Sequence, residues 1–118
     1  MYILVVDDER STVKMIGRQL QKAGYGSVCL DDPEEAIKFF MGNYRALDLA
    51  ILDVHMPGMT GIKMAEKMFE IEPTFPVILI TGALNYIEIE TENNVKSVLQ
   101  KPIPREELLD TVRKSLYC

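Results

Sequence analysis

The chain has 118 residues, 47% of them hydrophobic, which is enough for one domain with one core and too apolar for disorder. Its net charge of −5 argues against direct nucleic-acid binding, because a polyanion repels an acidic surface, and it fits a cation site built from carboxylates. No apolar run approaches ~18 residues, so no membrane span is expected, and the run at Tyr2 to Val6 lacks the basic leader and length of a secretory signal.

Tyr2 to Val6 is continuously apolar and ends in carboxylates, which reads as a strand buried on both faces. Ser11 or Thr12 is expected to cap a helix running to about Ala23, with Val13, Ile16 and Leu20 inward and Gly24 as its stop. Ser27 to Leu30 forms a short second strand. Asp32 caps the next helix, whose first residue is Pro33, where a missing N–H costs nothing. Ala36, Ile37 and Phe40 give it an inner face. Cys29 and Cys118 are unpatterned and read as reduced thiols of a cytoplasmic protein, and the seven Met as core filler.

Leu49 to Leu52 is a third strand ending at Asp53, followed by a loop at Pro57-Gly58. Ile62, Ala65, Met68 and Phe69 mark a third helix, stopped before Pro73 and Pro76. Val77 to Ile80 is a fourth strand, ending at Thr81. The stretch 83–94 carries both strand-like alternation and helical spacing, and topology favours a short, weak helix over 86–93. Val95 to Leu99 is a fifth strand, ending at Lys101-Pro102. Leu108, Leu109, Val112 and Leu116 mark a last helix after Pro104. Alternation of this kind predicts an α/β fold, a parallel sheet with helices on both faces and right-handed crossovers.

In a parallel sheet every strand points the same way, so Asp7, Asp8, Asp53, Thr81 and Lys101 should converge at one edge. Ligands of open α/β sheets bind beyond that edge, at the topological switch point. Three close carboxylates repel, and at least one would have a raised pKa. Mg²⁺ resolves the conflict, since it takes carboxylate, carbonyl and water oxygens and commonly shares a phosphate. Asp53 is then a candidate nucleophile toward phosphorus, with Lys101 supplying charge and Thr81 a hydrogen bond. Each residue alone has a plainer reading: a helix cap for Asp7-Asp8, a turn former for Asp53, a strand-end hydroxyl for Thr81, a surface charge for Lys101. Their joint placement at four strand ends favours the site.

The pieces "ILVVDDE" (Ile3 to Glu9), "DLAILDVHMPGMTG" (Asp48 to Gly61), "VILITG" (Val77 to Gly82) and "LQKP" (Leu99 to Pro102) give the chain, 1–118, a resemblance to the receiver domain of two-component response regulators of the chemotaxis type. The resemblance implies a flavodoxin-like sheet of order 2-1-3-4-5, one receiver domain, and Asp53 as the phosphoacceptor charged by a sensor histidine kinase or phosphotransfer protein. It implies Mg²⁺ held by Asp8, Asp53 and the backbone carbonyl of His55, with Asp7 acting through a water. Thr81 resembles the switch hydroxyl, Lys101 its phosphoryl-pairing lysine, Gly82 the small neighbour that leaves access, and Lys101-Pro102 a cis peptide. His55 is the only histidine, and its side chain either overhangs the site and influences how fast water attacks the acyl phosphate or points to solvent as a plain loop histidine. Output would pass to a downstream partner or a further domain, with a phosphorylation-linked dimer as one form.

The chain departs from the pattern near its fifth strand. Val98 stands where relatives carry a switch aromatic, Asn94-Val95 where they often carry Gly-Ala, and the interval from Thr81 to Lys101 is shorter. Thr60 replaces a frequent Asp, though Thr still caps. A valine has no ring to turn inward, so that part of the relay cannot work in the same way. The competing readings are an aspartate-nucleophile phosphatase, which needs a second Asp where His55 stands, and a non-phosphorylated docking module. Nucleotide binding is disfavoured by the lack of a Gly-rich turn after the first strand. The chain is therefore expected to be a phosphoacceptor rather than a turnover enzyme.

Overall fold

A computed structural model describes residues 1–82 and 94–117. The chain runs β1 (Tyr2–Val6), α1 (Arg10–Lys22), β2 (Gly26–Leu30), α2 (Pro33–Asn43), a 3₁₀ turn (Tyr44–Ala46), β3 (Leu49–Asp53), α3 (Gly61–Ile71), β4 (Val77–Thr81), β5 (Val95–Gln100) and α4 (Arg105–Tyr117). The strands form one parallel sheet in the order β2-β1-β3-β4-β5, as expected. The expected helix over 86–93 lies outside the described residues. No helix among the described residues is long and apolar enough to cross a membrane.

The three central strands, β1, β3 and β4, are apolar on both faces because both faces are covered. Side chains alternate along a strand, so Ile3 and Val5 join Leu49, Ile51, Ile78 and Ile80 under α1 and α4. Leu4 and Val6 join Ala50, Leu52, Val77 and Leu79 on the opposite face, with Ala36, Phe40, Met64 and Met68 from α2 and α3. Phe40 meets Phe75 edge-on, with centroids 4.8 Å apart. Phe69, expected inward, is half-buried instead. The buried stripe of α3 is Gly61, Met64, Ala65 and Met68 at i, i+3, i+4 and i+7, and Phe69 falls on its flank.

The caps of α2 and α3 are as read from sequence. Asp32 accepts from the Glu34 amide at 3.0 Å ahead of Pro33, and Thr60 accepts from the Lys63 amide at 3.1 Å. Gly24 closes α1 in the left-handed region, φ +92°, where a Cβ would be strained. The start of α1 corrects the sequence reading: neither Ser11 nor Thr12 caps it. Glu9 is the N-cap and makes no side-chain cap bond. Asp7 causes the earlier start, since its Oδ1 accepts from the Glu9 amide at 3.0 Å and turns the chain directly out of β1.

At the far edge of the sheet the register slips. Val77 pairs with Val95, but Ile78 pairs with Ser97, so β5 advances two residues while β4 advances one.

Candidate functional site

Strand register brings the polar residues together. Val6 is level with Leu52, so the next residues, Asp7 and Asp53, stand side by side. Asp53 is level with Ile80, which places Thr81 one residue further on. Backbone hydrogen bonds continue past the strand ends and hold this rim. The Asp7 amide donates to Leu30 O (3.3 Å), the Val54 amide to Ile80 O (2.8 Å) and the Lys101 amide to Thr81 O (2.8 Å). The Lys101-Pro102 peptide is cis, as the resemblance implied.

Asp7, Asp53 and Thr81 are buried, while Asp8 and His55 are exposed. Asp7, Asp8 and Asp53 can each offer one carboxylate oxygen, all within 4.8 Å of one another. Lys101 Nζ lies 2.7 Å from Asp7 Oδ2, 3.4 Å from Asp53 Oδ2 and 3.3 Å from Glu9 Oε1. The shortest of these contacts pairs Lys101 with buried Asp7 Oδ2, which has no other donor among the described residues. Asp53 Oδ1 accepts a long bond from the His55 amide at 3.4 Å. Among the described residues Lys101 thus pairs with three carboxylates, and Asp8 lies beside two of them.

The donor set suits a hard divalent cation: carboxylate oxygens only, packed close, more of them than the one ammonium can neutralise. Burial raises the Asp7 pKa, and the neighbouring Asp53 charge adds to the rise. The Lys101 ammonium and the Glu9 amide oppose it without prevailing. Burial works against the Lys101 ammonium, yet its pairing with Asp7, then Asp53 and Glu9, outweighs burial and raises its pKa.

A raised Asp7 pKa has a definite sign. From the ordinary value of 3.8 up to the folded value, the native state holds more proton than the unfolded chain, so stability falls as pH rises through that window. Asp7→Asn keeps an acceptor for the Glu9 amide and removes the buried charge. It is expected to raise the melting temperature at pH 7 in chelator, with the advantage shrinking as pH falls toward 4. A lower melting temperature than wild type at pH 7 would mean that the Lys101 pairing outweighs the burial of the acid.

Other residues take less expected places. Gly82 is exposed, and a Cβ there would meet no described residue within 4 Å. Val98 is level with Leu79, half-buried and packed on the α2–α3 core. Two residues went without a role in the sequence reading. Glu9 reaches Lys101, and its signal was its place directly after Asp7-Asp8. Gly61 lies against the Asp53 backbone, where a Cβ would collide with the Asp53 carbonyl, and its amide donates to Val54 O at 3.0 Å. Spacing alone gave no sign of that contact.

Residues 3–113 match the family model described as the response regulator receiver domain. Among curated proteins, the transcriptional regulatory protein GlrR of Escherichia coli is 28% identical over 117 residues, covering 98% of this chain and 26% of that protein. The chain therefore spans about a quarter of that relative's length. Among solved structures, the response regulator protein TrrA of Thermotoga maritima, in complex with Mg²⁺-BeF, is 34% identical. It superposes with a TM-score of 0.87, covering 98% of each chain. A structure of histidine kinase ThkA in complex with TrrA matches with a TM-score of 0.84 at 34% identity, covering 98% of this chain and 97% of that one.

Proposed function

Because the chain belongs to the response regulator receiver-domain family, we propose that it is a phosphoacceptor signalling module whose acceptor is Asp53. The observation that carries this reading is the cluster itself: Asp53 at a strand end, two further carboxylates within 4.8 Å and the Lys101 ammonium 3.4 Å away. One Asp53 carboxylate oxygen bonds to phosphorus as the P–N bond of a kinase phosphohistidine breaks. The bonding pair leaves with the imidazole nitrogen, which is reprotonated from water. Lys101 pairs with a phosphoryl oxygen and Thr81 donates its hydroxyl to another.

Asp8, Asp53 and the His55 carbonyl would hold Mg²⁺, with Asp7 behind them. When bound, the ion supplies positive charge against the phosphoryl oxygens and the crowded acids. The similarity to TrrA, solved with Mg²⁺-BeF and with a histidine kinase, supports both the ion and the class of donor. His55, exposed two residues after Asp53, would influence attack of water on the acyl phosphate through its side chain. The module acts in the cytoplasm and reports to a downstream protein or a further domain, with a phosphorylation-linked dimer as one form. Its output does not use an inward-turning aromatic, since Val98 packs in place.

The test is intact mass after incubation with acetyl phosphate and Mg²⁺, with and without chelator. A gain of one phosphoryl group, lost in chelator, supports the reading, and no gain from acetyl phosphate or from a phosphohistidine donor would leave a docking module in its place. Mg²⁺ should also raise thermal stability, because it binds an acid cluster assembled only on folding. At ten times its Kd the gain is about 1.4 kcal/mol. A melting curve indifferent to millimolar Mg²⁺ would count against the metal site.

A further inference from the structure

We propose that Glu9 is a positioning residue that holds the place of the incoming phosphoryl group: its carboxylate occupies a donor of Lys101 in the unmodified protein and releases it when Asp53 is phosphorylated. This rests on Asp53 being the phosphoacceptor.

An ammonium has three donors, and Lys101 has three carboxylates around it. They are not equivalent. The Asp7 and Asp53 side chains are 0% and 5% exposed and fixed at strand ends, whereas that of Glu9 is 62% exposed. The Glu9 contact is a hydrogen bond, 3.3 Å from Nζ to Oε1, so it does occupy one of the three donors. Lys101 thus aims a donor at the one carboxylate that can leave.

Glu9 can leave without disturbing the fold. Its amide is held by Asp7 Oδ1 and its carbonyl accepts from the Val13 amide at 3.1 Å, so the backbone stays anchored while the side chain swings. A phosphoryl group on Asp53 would need a donor from Lys101, and the Glu9 carboxylate is both the acceptor in its way and a like charge. Glu9 therefore favours the unmodified state. An exposed ion pair is a weak restraint, which bounds the effect at a few-fold.

The experiment compares wild type, Glu9→Gln and Glu9→Asp at saturating Mg²⁺ with acetyl phosphate. In this reaction an Asp53 oxygen bonds to phosphorus and acetate leaves with the P–O pair. Glu9→Gln removes the charge and keeps the length, whereas Glu9→Asp keeps the charge and falls short of Lys101. A placeholder predicts that both variants are phosphorylated faster and hold the phosphoryl group longer, by roughly two- to fivefold. A gain in Glu9→Gln alone would reveal general charge repulsion and overturn the assignment, as would no change in either. A second measurement needs no phosphorylation: either Glu9 change should shift the melting temperature in wild type but not in a Lys101→Met background. Equal shifts in both backgrounds would refute the Glu9–Lys101 pairing itself. If wild type takes up no phosphoryl group while that coupling is intact, it is the phosphoacceptor reading that has failed.

Discussion

Asp53→Asn is expected to reduce phosphoryl uptake to background while leaving the fold intact. The amide has nearly the shape of the carboxylate but no anionic oxygen to attack phosphorus. The substitution also takes one charge out of a cluster where three carboxylates share one ammonium and a fourth, Asp8, lies close by, so the melting temperature should hold or rise. Lost chemistry with retained stability separates an acceptor from a structural acid. Intact mass and a melting curve on the same sample decide the matter. Retained uptake in the variant would move the acceptor to Asp7, Asp8 or Glu9, which lie close enough to substitute.

Gly61→Ala is expected to destabilise the protein by about 3 kcal/mol, lowering the melting temperature by roughly 10–20 °C. Helix propensity alone gives the opposite sign, since alanine is worth up to ~1 kcal/mol more than glycine inside a helix. Packing decides it. The added Cβ would collide with the Asp53 carbonyl oxygen, lie 2.8 Å from the Asp53 carbonyl carbon and 3.2 Å from Val54 Cα. Those are backbone atoms of a central strand paired on both sides, and they cannot turn aside as a side chain would. Relief requires moving α3, which would break the Gly61–Val54 hydrogen bond. A melting temperature equal to or above that of wild type would show that α3 does not sit this close to Asp53.

The fold was largely readable because the sheet is buried on both faces. Uninterrupted runs such as Ile3 to Val6 and Val77 to Ile80 leave little ambiguity between strand and loop. The convergence of Asp7, Asp53, Thr81 and Lys101 followed from parallel direction alone, since each ends or follows a strand. What escaped was set by three-dimensional contact. The start of α1 depends on Asp7 capturing the Glu9 amide, which displaces the more obvious Ser11 and Thr12. The 3₁₀ turn at Tyr44–Ala46 has no periodic signature at three residues. Glu9 on Lys101 spans ninety-two positions along the chain, and only the register of β1 against its neighbours brings the two together.

The slipped pairing between β4 and β5 bears on how the molecule avoids sticking to itself. β5 flanks the sheet, and the outer rail of such a strand is a template on which a stray segment can grow. Its extra residue falls at Lys96, an exposed lysine, within a strand of only six residues. A slipped register, an exposed lysine and short length each spoil the flat, continuous rail that strand addition requires. The irregularity therefore has the form of an end-stop, one way for a sheet to blunt an edge without closing into a barrel.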